Sequence, residues 1–252
     1  MQRLESEING RVLAWFSCGS TSAIAAKMCV EKFGDACEVL YCDTFRYEHS
    51  DNRRFFDDVQ NWIGREIKVL SSEKYANIFE VFYKTKWLVG VGGARCTTEL
   101  KKNVRKAYQH VDDFHAFGFT VEEAHRIAQF NEENFELKGY FPLYDEHITK
   151  RQCKLMLVDA GIELPTMYKL GYKNNNCIGC VKGGAGYWNK IRQDFPDAFA
   201  RMAQTERDLN VAINKTYVKG KRIRIFLDEL DPDAGRYDVE PDIECGILCG
   251  GK

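Results

Sequence analysis

Val12-Leu13-Ala14-Trp15-Phe16-Ser17-Cys18-Gly19-Ser20-Thr21-Ser22-Ala23-Ile24-Ala25-Ala26-Lys27 reads as a buried strand, a turn of small residues and a helix. A turn built from Ser, Cys and Gly lets the backbone close tightly around an anion. The first amides of the following helix, with its dipole, add positive potential there. Ser17, Gly19, Ser20, Thr21 and Ser22 are therefore the expected phosphate contacts, and a nucleotide is the expected ligand.

Outward from this stretch, apolar strand patterns at 11–16, 38–42, 66–70, 114–119 and 136–141 alternate with helical patterns at 20–33, 51–63, 99–111 and 120–131. This alternation predicts an α/β protein with a doubly wound parallel sheet. Ligands of such sheets bind beyond the carboxyl ends of the strands. Residues 17–22, Asp43-Thr44 and Gly118 occupy those ends, so three loops are expected to converge on one crevice. From about Phe141 the pattern changes to a helix at 149–161, a long helix at 187–209, a late strand at 222–230 and a cysteine-bearing tail. The expected organisation is a nucleotide-binding portion at 1–140 and a helical, cysteine-bearing C-terminal portion at 141–252.

Composition narrows the class. The chain has 252 residues, 36 Lys+Arg against 37 Asp+Glu and a net charge of -1, so no global charge favours a nucleic-acid partner. The basic runs Lys101, Lys102, Arg105, Lys106 and Lys219, Lys221, Arg222, Arg224 are read as solvated surface. No apolar run reaches the ~20 residues of a membrane span, and the N-terminus lacks a signal peptide's apolar segment. A cytoplasmic location without a membrane partner is expected. In that setting the ten cysteines are expected as thiols or metal ligands rather than disulfides.

The cysteines fall into two groups. Cys29, Cys37, Cys42 and Cys153 lie in apolar or amphipathic stretches and are expected in the core. Cys177-Ile178-Gly179-Cys180 points two sulfurs at one centre, and Glu244-Cys245-Gly246-Ile247-Leu248-Cys249 supplies a second close pair. Cys96, on a glycine loop before a helix, is a fifth candidate, favoured as a thiolate by the helix dipole. Lys182-Gly183-Gly184-Ala185-Gly186 suits either a second anion-binding turn or close packing around a bound group. His110, His115, His125 and His147 lack metal-ligand spacing and are read as structural.

Residues 17–22 resemble a variant of the Ser-Gly-Gly-x-Asp-Ser pyrophosphate loop of the ATP pyrophosphatase (PP-loop) superfamily, whose fold is Rossmann-like. Asp43-Thr44 follows the second strand as in phosphoadenosine phosphosulfate (PAPS) reductases. Gly118, Glu123 and Arg126 are similar to that family's Gly-x-Arg-x-x-Glu-x-x-Arg element. The resemblance spans roughly residues 11–185 with the tail as a further match, and implies that these residues bind an adenine nucleotide: ATP, PAPS or adenylylsulfate. Thr21 replaces the loop's Asp, and Thr120 replaces an expected Arg. Thr120 and Glu123 also have the spacing of a helix capping box, which satisfies helix-end donors without a ligand.

The resemblance also implies sulfur chemistry. Glu244-Cys245-Gly246-Ile247 is similar to the tail of the sulfonucleotide reductases, whose cysteine attacks the sulfate sulfur, although Leu248 replaces the family's His. On that reading Cys245 is a nucleophile and Cys249 a resolving thiol. Iron–sulfur members pair a cysteine loop with a later CxxC, which assigns Cys96, Cys177, Cys180 and Cys245 to a [4Fe–4S] cluster. A zinc site from Cys177, Cys180, Cys245 and Cys249 is the alternative, and it leaves Cys96 unexplained. Three functions are thus expected: reduction of a sulfonucleotide to sulfite with a thiol reductant; ATP-dependent sulfur transfer to a nucleobase or nucleic acid with a sulfur-donor protein; or nucleotide binding without catalysis.

Overall fold

Every residue of Val12–Phe16 is buried, as expected of a strand covered on both faces. The computed structural model describes residues 8, 10–90 and 92–243, with the backbone alone for 217 and 218. Val12–Phe16 is the middle strand of a five-stranded sheet ordered Ile67–Leu70, Cys37–Cys42, Val12–Phe16, Phe114–Ala116, Lys138–Tyr140. All four pairings are parallel. The chain first builds outward on one side of Val12–Phe16 and then returns to build on the other. The strand order therefore reverses between Val12–Phe16 and Phe114–Ala116, which makes a topological switch point there.

Alternate residues of the central strands serve two cores. Val12, Ala14, Phe16, Val39 and Tyr41 pack with Ala23, Ile24, Phe55, Val59 and Leu157 in one apolar cluster. Leu13, Trp15 and Leu40, the residues between them, are buried as well. Trp15 Nε1 donates to His115 Nδ1 at 3.0 Å. Burial and the nearby Arg105 bring the imidazole down to about 4, so His115 is a neutral core acceptor, in keeping with its structural reading.

The helices follow local chemistry. Ser20–Phe33 buries its small face of Ala23, Ala25 and Ala26, which lets the helix approach the sheet closely. Asn52–Ile63 buries Phe55, Phe56, Val59 and Ile63 and ends at Gly64 in the left-handed region, φ 65°. Thr149 and Gln152 form a capping box at the start of Lys150–Asp159. Cys29, Cys37, Cys42 and Cys153 are core residues as expected, and burial pushes the Cys153 thiol up to about 12.

Several expectations change. The strand at 114–119 pairs only through Ala116. The helix at 99–111 is a π-turn at Thr98–Lys102 running into Asn103–Tyr108. Arg105, read as solvated, is 1% exposed, a placement that a charge run does not reveal. The long helix at 187–209 is two helices, Ala185–Asp194 and Pro196–Leu209. Pro196 has no N–H and forces the preceding residue out of the helical region, and Phe195 adopts φ −140°, ψ 65°. The late strand is Lys221–Ile225, antiparallel to Asn214–Val218, and it gives way to a 3-10 turn at Leu227–Glu229. Helix Ile78–Thr85, capped by Asn77 accepting from the Glu80 amide, was not expected.

The chain divides into two compact units, each discontinuous in sequence. The first, residues 1–45, 50–71 and 105–175, holds the parallel sheet. The second, residues 46–49, 72–104 and 176–252, holds the helices Ile78–Thr85, Ala185–Asp194 and Pro196–Leu209 and the hairpin of Asn214–Val218 with Lys221–Ile225. Trp188 and Ile191 are fully buried in this second unit. Among the described residues no helix is long and apolar enough to cross a membrane.

Candidate functional site

The turn leaving Val12–Phe16 is held by its own hydroxyls. Ser22 Oγ accepts from the Ser17 amide at 3.1 Å and donates to the Gly19 carbonyl at 3.0 Å. Cys18 takes φ +54°, a left-handed conformation that a non-glycine residue adopts at a cost of order 1–3 kcal/mol. Two asparagines hold it there. Asn175 Nδ2 donates to the Cys18 carbonyl at 2.6 Å and to Asn52 Oδ1 at 2.9 Å, and the Cys18 side chain is fully buried. The helix then starts at Ser20 with Gly19 as its N-cap, no side-chain cap and no acidic residue in the first turn. The positive end of a 14-residue helix thus meets no carboxylate of its own.

Tyr168 completes this turn. Its hydroxyl accepts from the Ser20 amide at 3.2 Å and lies 3.3 Å from Ser20 Oγ. Lys154 Nζ stands 4.2 Å from the Tyr168 ring centroid. A tyrosine hydroxyl therefore occupies the amide that the sequence reading gives to phosphate.

The expected loops divide in their behaviour. A Cβ on Gly118 would stand 2.7 Å from the Thr21 carbonyl carbon and 2.8 Å from the Ser22 nitrogen, so the loop after Phe114–Ala116 packs directly on the turn at 17–22, at the switch point. Asp43 is exposed and accepts from the Phe45 amide at 3.3 Å. Thr44 is buried, with Oγ1 3.3 Å from the Tyr41 hydroxyl and 3.4 Å from the Cys42 carbonyl. Glu123 forms the capping box with Thr120, accepting from its amide at 3.0 Å. Arg126 pairs with Glu123 and lies 4.2 Å from the Phe119 ring centroid. The box at Thr120 and Glu123 holds this helix start together within the chain itself.

No protein-family model and no curated protein matches the chain. The site is read from its own geometry.

Cys96, Cys177 and Cys180 all belong to the second unit. The CxxC turn closes around Gly179 at φ +72°. The Tyr187 hydroxyl accepts from the Cys180 amide at 2.9 Å and donates to the Cys177 carbonyl at 3.3 Å, pinning both ends of the turn. Asn176, next to Cys177, donates from Nδ2 to the Ile243 carbonyl at 3.0 Å. Cys245 and Cys249 lie outside the described residues. Among the described residues no three His, Cys, Asp or Glu side chains gather to hold a metal ion. Thiol donors suit an iron–sulfur group chemically, but the described residues alone do not make a four-thiolate cage.

The glycine run after the CxxC is an anion-binding turn, and its anion is the chain's own. Glu240 accepts from the Gly186 amide at 2.6 Å and from the Tyr187 amide at 3.1 Å, at the start of Ala185–Asp194. A Cβ on Gly184 would stand 2.8 Å from that carboxylate. Of the residues that the sequence reading missed, Tyr168, Asn175 and Glu240 each act on backbone distant in the chain, and Asn52 supports Asn175 by accepting from its Nδ2. Only the polar run Asn174-Asn175-Asn176 before the CxxC carried a signal.

Proposed function

We propose that the protein is a PP-loop enzyme of the PAPS reductase-like kind, which binds an adenine nucleotide at residues 17–22 and reduces a sulfonucleotide to sulfite. The observation that carries the reading is the close packing of Gly118 on the backbone of Thr21 and Ser22 where the strand order reverses. That position is where open parallel sheets bind their ligands, and a helix start without acidic residues favours phosphate.

In this reading the Cys245 thiolate attacks the sulfate sulfur. The bond from sulfur to the phosphate oxygen breaks, and its electron pair leaves on the nucleotide. The protein is left carrying Cys–S–SO₃⁻. Cys249, the assigned resolving thiol, then attacks Cys245 Sγ and sulfite departs with the electron pair of the S–S bond; a dithiol reductant reduces the resulting Cys245–Cys249 disulfide and leaves as a disulfide itself. The hydrogen bond from Asn176 to Ile243 fastens the chain two residues before Cys245 beside the CxxC turn.

A second reading is favoured by an open cavity lined by Ile178 and Gly179, the residues between the two CxxC cysteines. Here ATP activates an acceptor, and Cys96, Cys177, Cys180 and Cys245 would hold an iron–sulfur cluster. That group would supply sulfur or electron chemistry when bound. Anaerobically purified protein incubated with PAPS, adenylylsulfate and ATP separates the readings. Sulfite release supports the reductase, AMP with pyrophosphate supports the activating enzyme, and nucleotide binding without turnover reduces the protein to a binding module. Iron and acid-labile sulfide analysis of the same preparation tests the cluster, and zinc in their place supports the zinc alternative.

A further inference from the structure

The second unit contains a cavity of about 470 Å³ whose walls are aromatic and charged together. This size falls in the range of small-molecule sites. Tyr47, Phe79 and Phe195 supply rings, Arg46 and Arg201 supply guanidinium donors, and Asp197 supplies a carboxylate acceptor. The Arg201 guanidinium carbon stands 3.8 Å from the Phe79 ring centroid, and the Tyr47 ring meets Phe79 at 5.7 Å and 62°. The cavity is fastened to the cysteine turn, since the Ile178 amide donates to the Tyr47 carbonyl at 2.7 Å.

Several ligand classes fit this lining poorly. A purely apolar ligand would cover the Arg46 and Arg201 guanidiniums and the Asp197 carboxylate without bonding to them. A simple anion would meet Glu48, Asp194 and Asp197 as well as the arginines. A planar heterocycle with donors and acceptors on its edges suits every wall, because its faces stack on rings and guanidinium planes and its edge bonds both to arginine and to carboxylate.

We propose that this cavity binds a nucleobase, presented by a free nucleoside or by a single-stranded nucleic acid. The binding itself is independent of the phosphate turn. Only its purpose, holding the acceptor beside the CxxC, rests on the sulfur-transfer reading.

The test uses the full chain with adenosine, cytidine, guanosine and uridine in calorimetry, and fluorescein-labelled homopolymeric single strands in anisotropy. Both are run with a non-hydrolysable ATP analogue at saturation to fill the phosphate turn. Saturable binding is expected, and Arg201→Ala weakens it by about tenfold or more, the scale of one lost stacking partner. Asp197→Asn, at an exposed position, alters the order of preference among the four bases. Ser22→Ala, aimed at the phosphate turn, leaves this binding intact while weakening the ATP analogue. Binding of nucleosides and strands alike identifies a free ligand, and binding of strands alone identifies a nucleic acid; either supports the cavity. Absence of binding by all probes, or binding that Ser22→Ala removes and Arg201→Ala spares, overturns it. Loss of sulfite release in the enzyme assay bears on the reductase reading and leaves this result untouched.

Discussion

Gly118 lies against the main chain of Thr21, with space for a hydrogen but not for a methyl: a Cβ would stand 2.7 Å from the Thr21 carbonyl carbon. The atoms it would strike are backbone at the start of helix Ser20–Phe33, which cannot rotate away. Gly118→Ala therefore shifts the turn at 17–22 relative to the sheet. The expected result is a stability loss of about 1–3 kcal/mol in urea unfolding and at least a tenfold weaker nucleotide in calorimetry. An alanine variant that binds as the parent does would show that the turn and the Gly118 loop are not one site.

On the proposed reading, Tyr168 and an incoming phosphate compete for one donor. The phenol accepts from the Ser20 amide at 3.2 Å, and a charged oxygen makes the stronger bond to the same N–H. Tyr168→Phe removes the competitor and keeps the ring against Lys154. Nucleotide affinity is expected to rise several-fold in a titration, with stability nearly unchanged. A fall in affinity would instead make the hydroxyl a direct nucleotide contact.

Glu240 satisfies two amides at the start of Ala185–Asp194. Glu240→Ala leaves them without that carboxylate and is expected to cost about 1–2 kcal/mol, as loss of a helix cap does. The same change loosens the segment leading to Ile243. Sulfite release is expected to fall while nucleotide affinity, set in the other unit, stays constant; equal losses in both would contradict the division of roles.

Glu206 is a buried carboxylate that closes the hairpin at both ends, accepting from the Ile213 and Leu227 amides at 2.6 Å each. Burial pushes it up to about 7. A carboxylate raised in the folded state contributes its full stability below about pH 4.3, its unfolded value, and loses that contribution as pH rises toward 7. The shift corresponds to about 3 kcal/mol. Urea unfolding of the parent and Glu206→Gln at pH 5 and pH 7.5 is expected to show the variant more handicapped at pH 5. A handicap independent of pH would mean that Glu206 is ionised throughout.

The sheet was legible because its evidence is local. The run Val12-Leu13-Ala14-Trp15-Phe16 followed by small residues specifies strand, turn and helix within one segment, and the bounds Ser20–Phe33 match the reading. The break at Phe195-Pro196 was equally local, but the apolar spacing of Trp188, Ile191, Phe195 and Phe199 continues across it and hid it. Thr120 and Glu123 showed how two explanations share one spacing, and the capping box is what forms. Tyr168 and Asn175 could not be read in advance, because they meet Ser20 and Cys18 across 148 and 157 positions of chain. Side chains that meet only through the fold leave no periodicity in the sequence.

The central claim is that main-chain amides of residues 17–22 hold an adenine nucleotide's phosphates. Calorimetric titration of the intact protein with adenylylsulfate and ATP, repeated on Ser22→Ala, tests it directly. The account predicts one-to-one binding weakened at least tenfold in the variant, in which Ser17 and Gly19 lose the hydroxyl that joins them. Equal affinity in parent and variant, or no heat with either nucleotide, would contradict it.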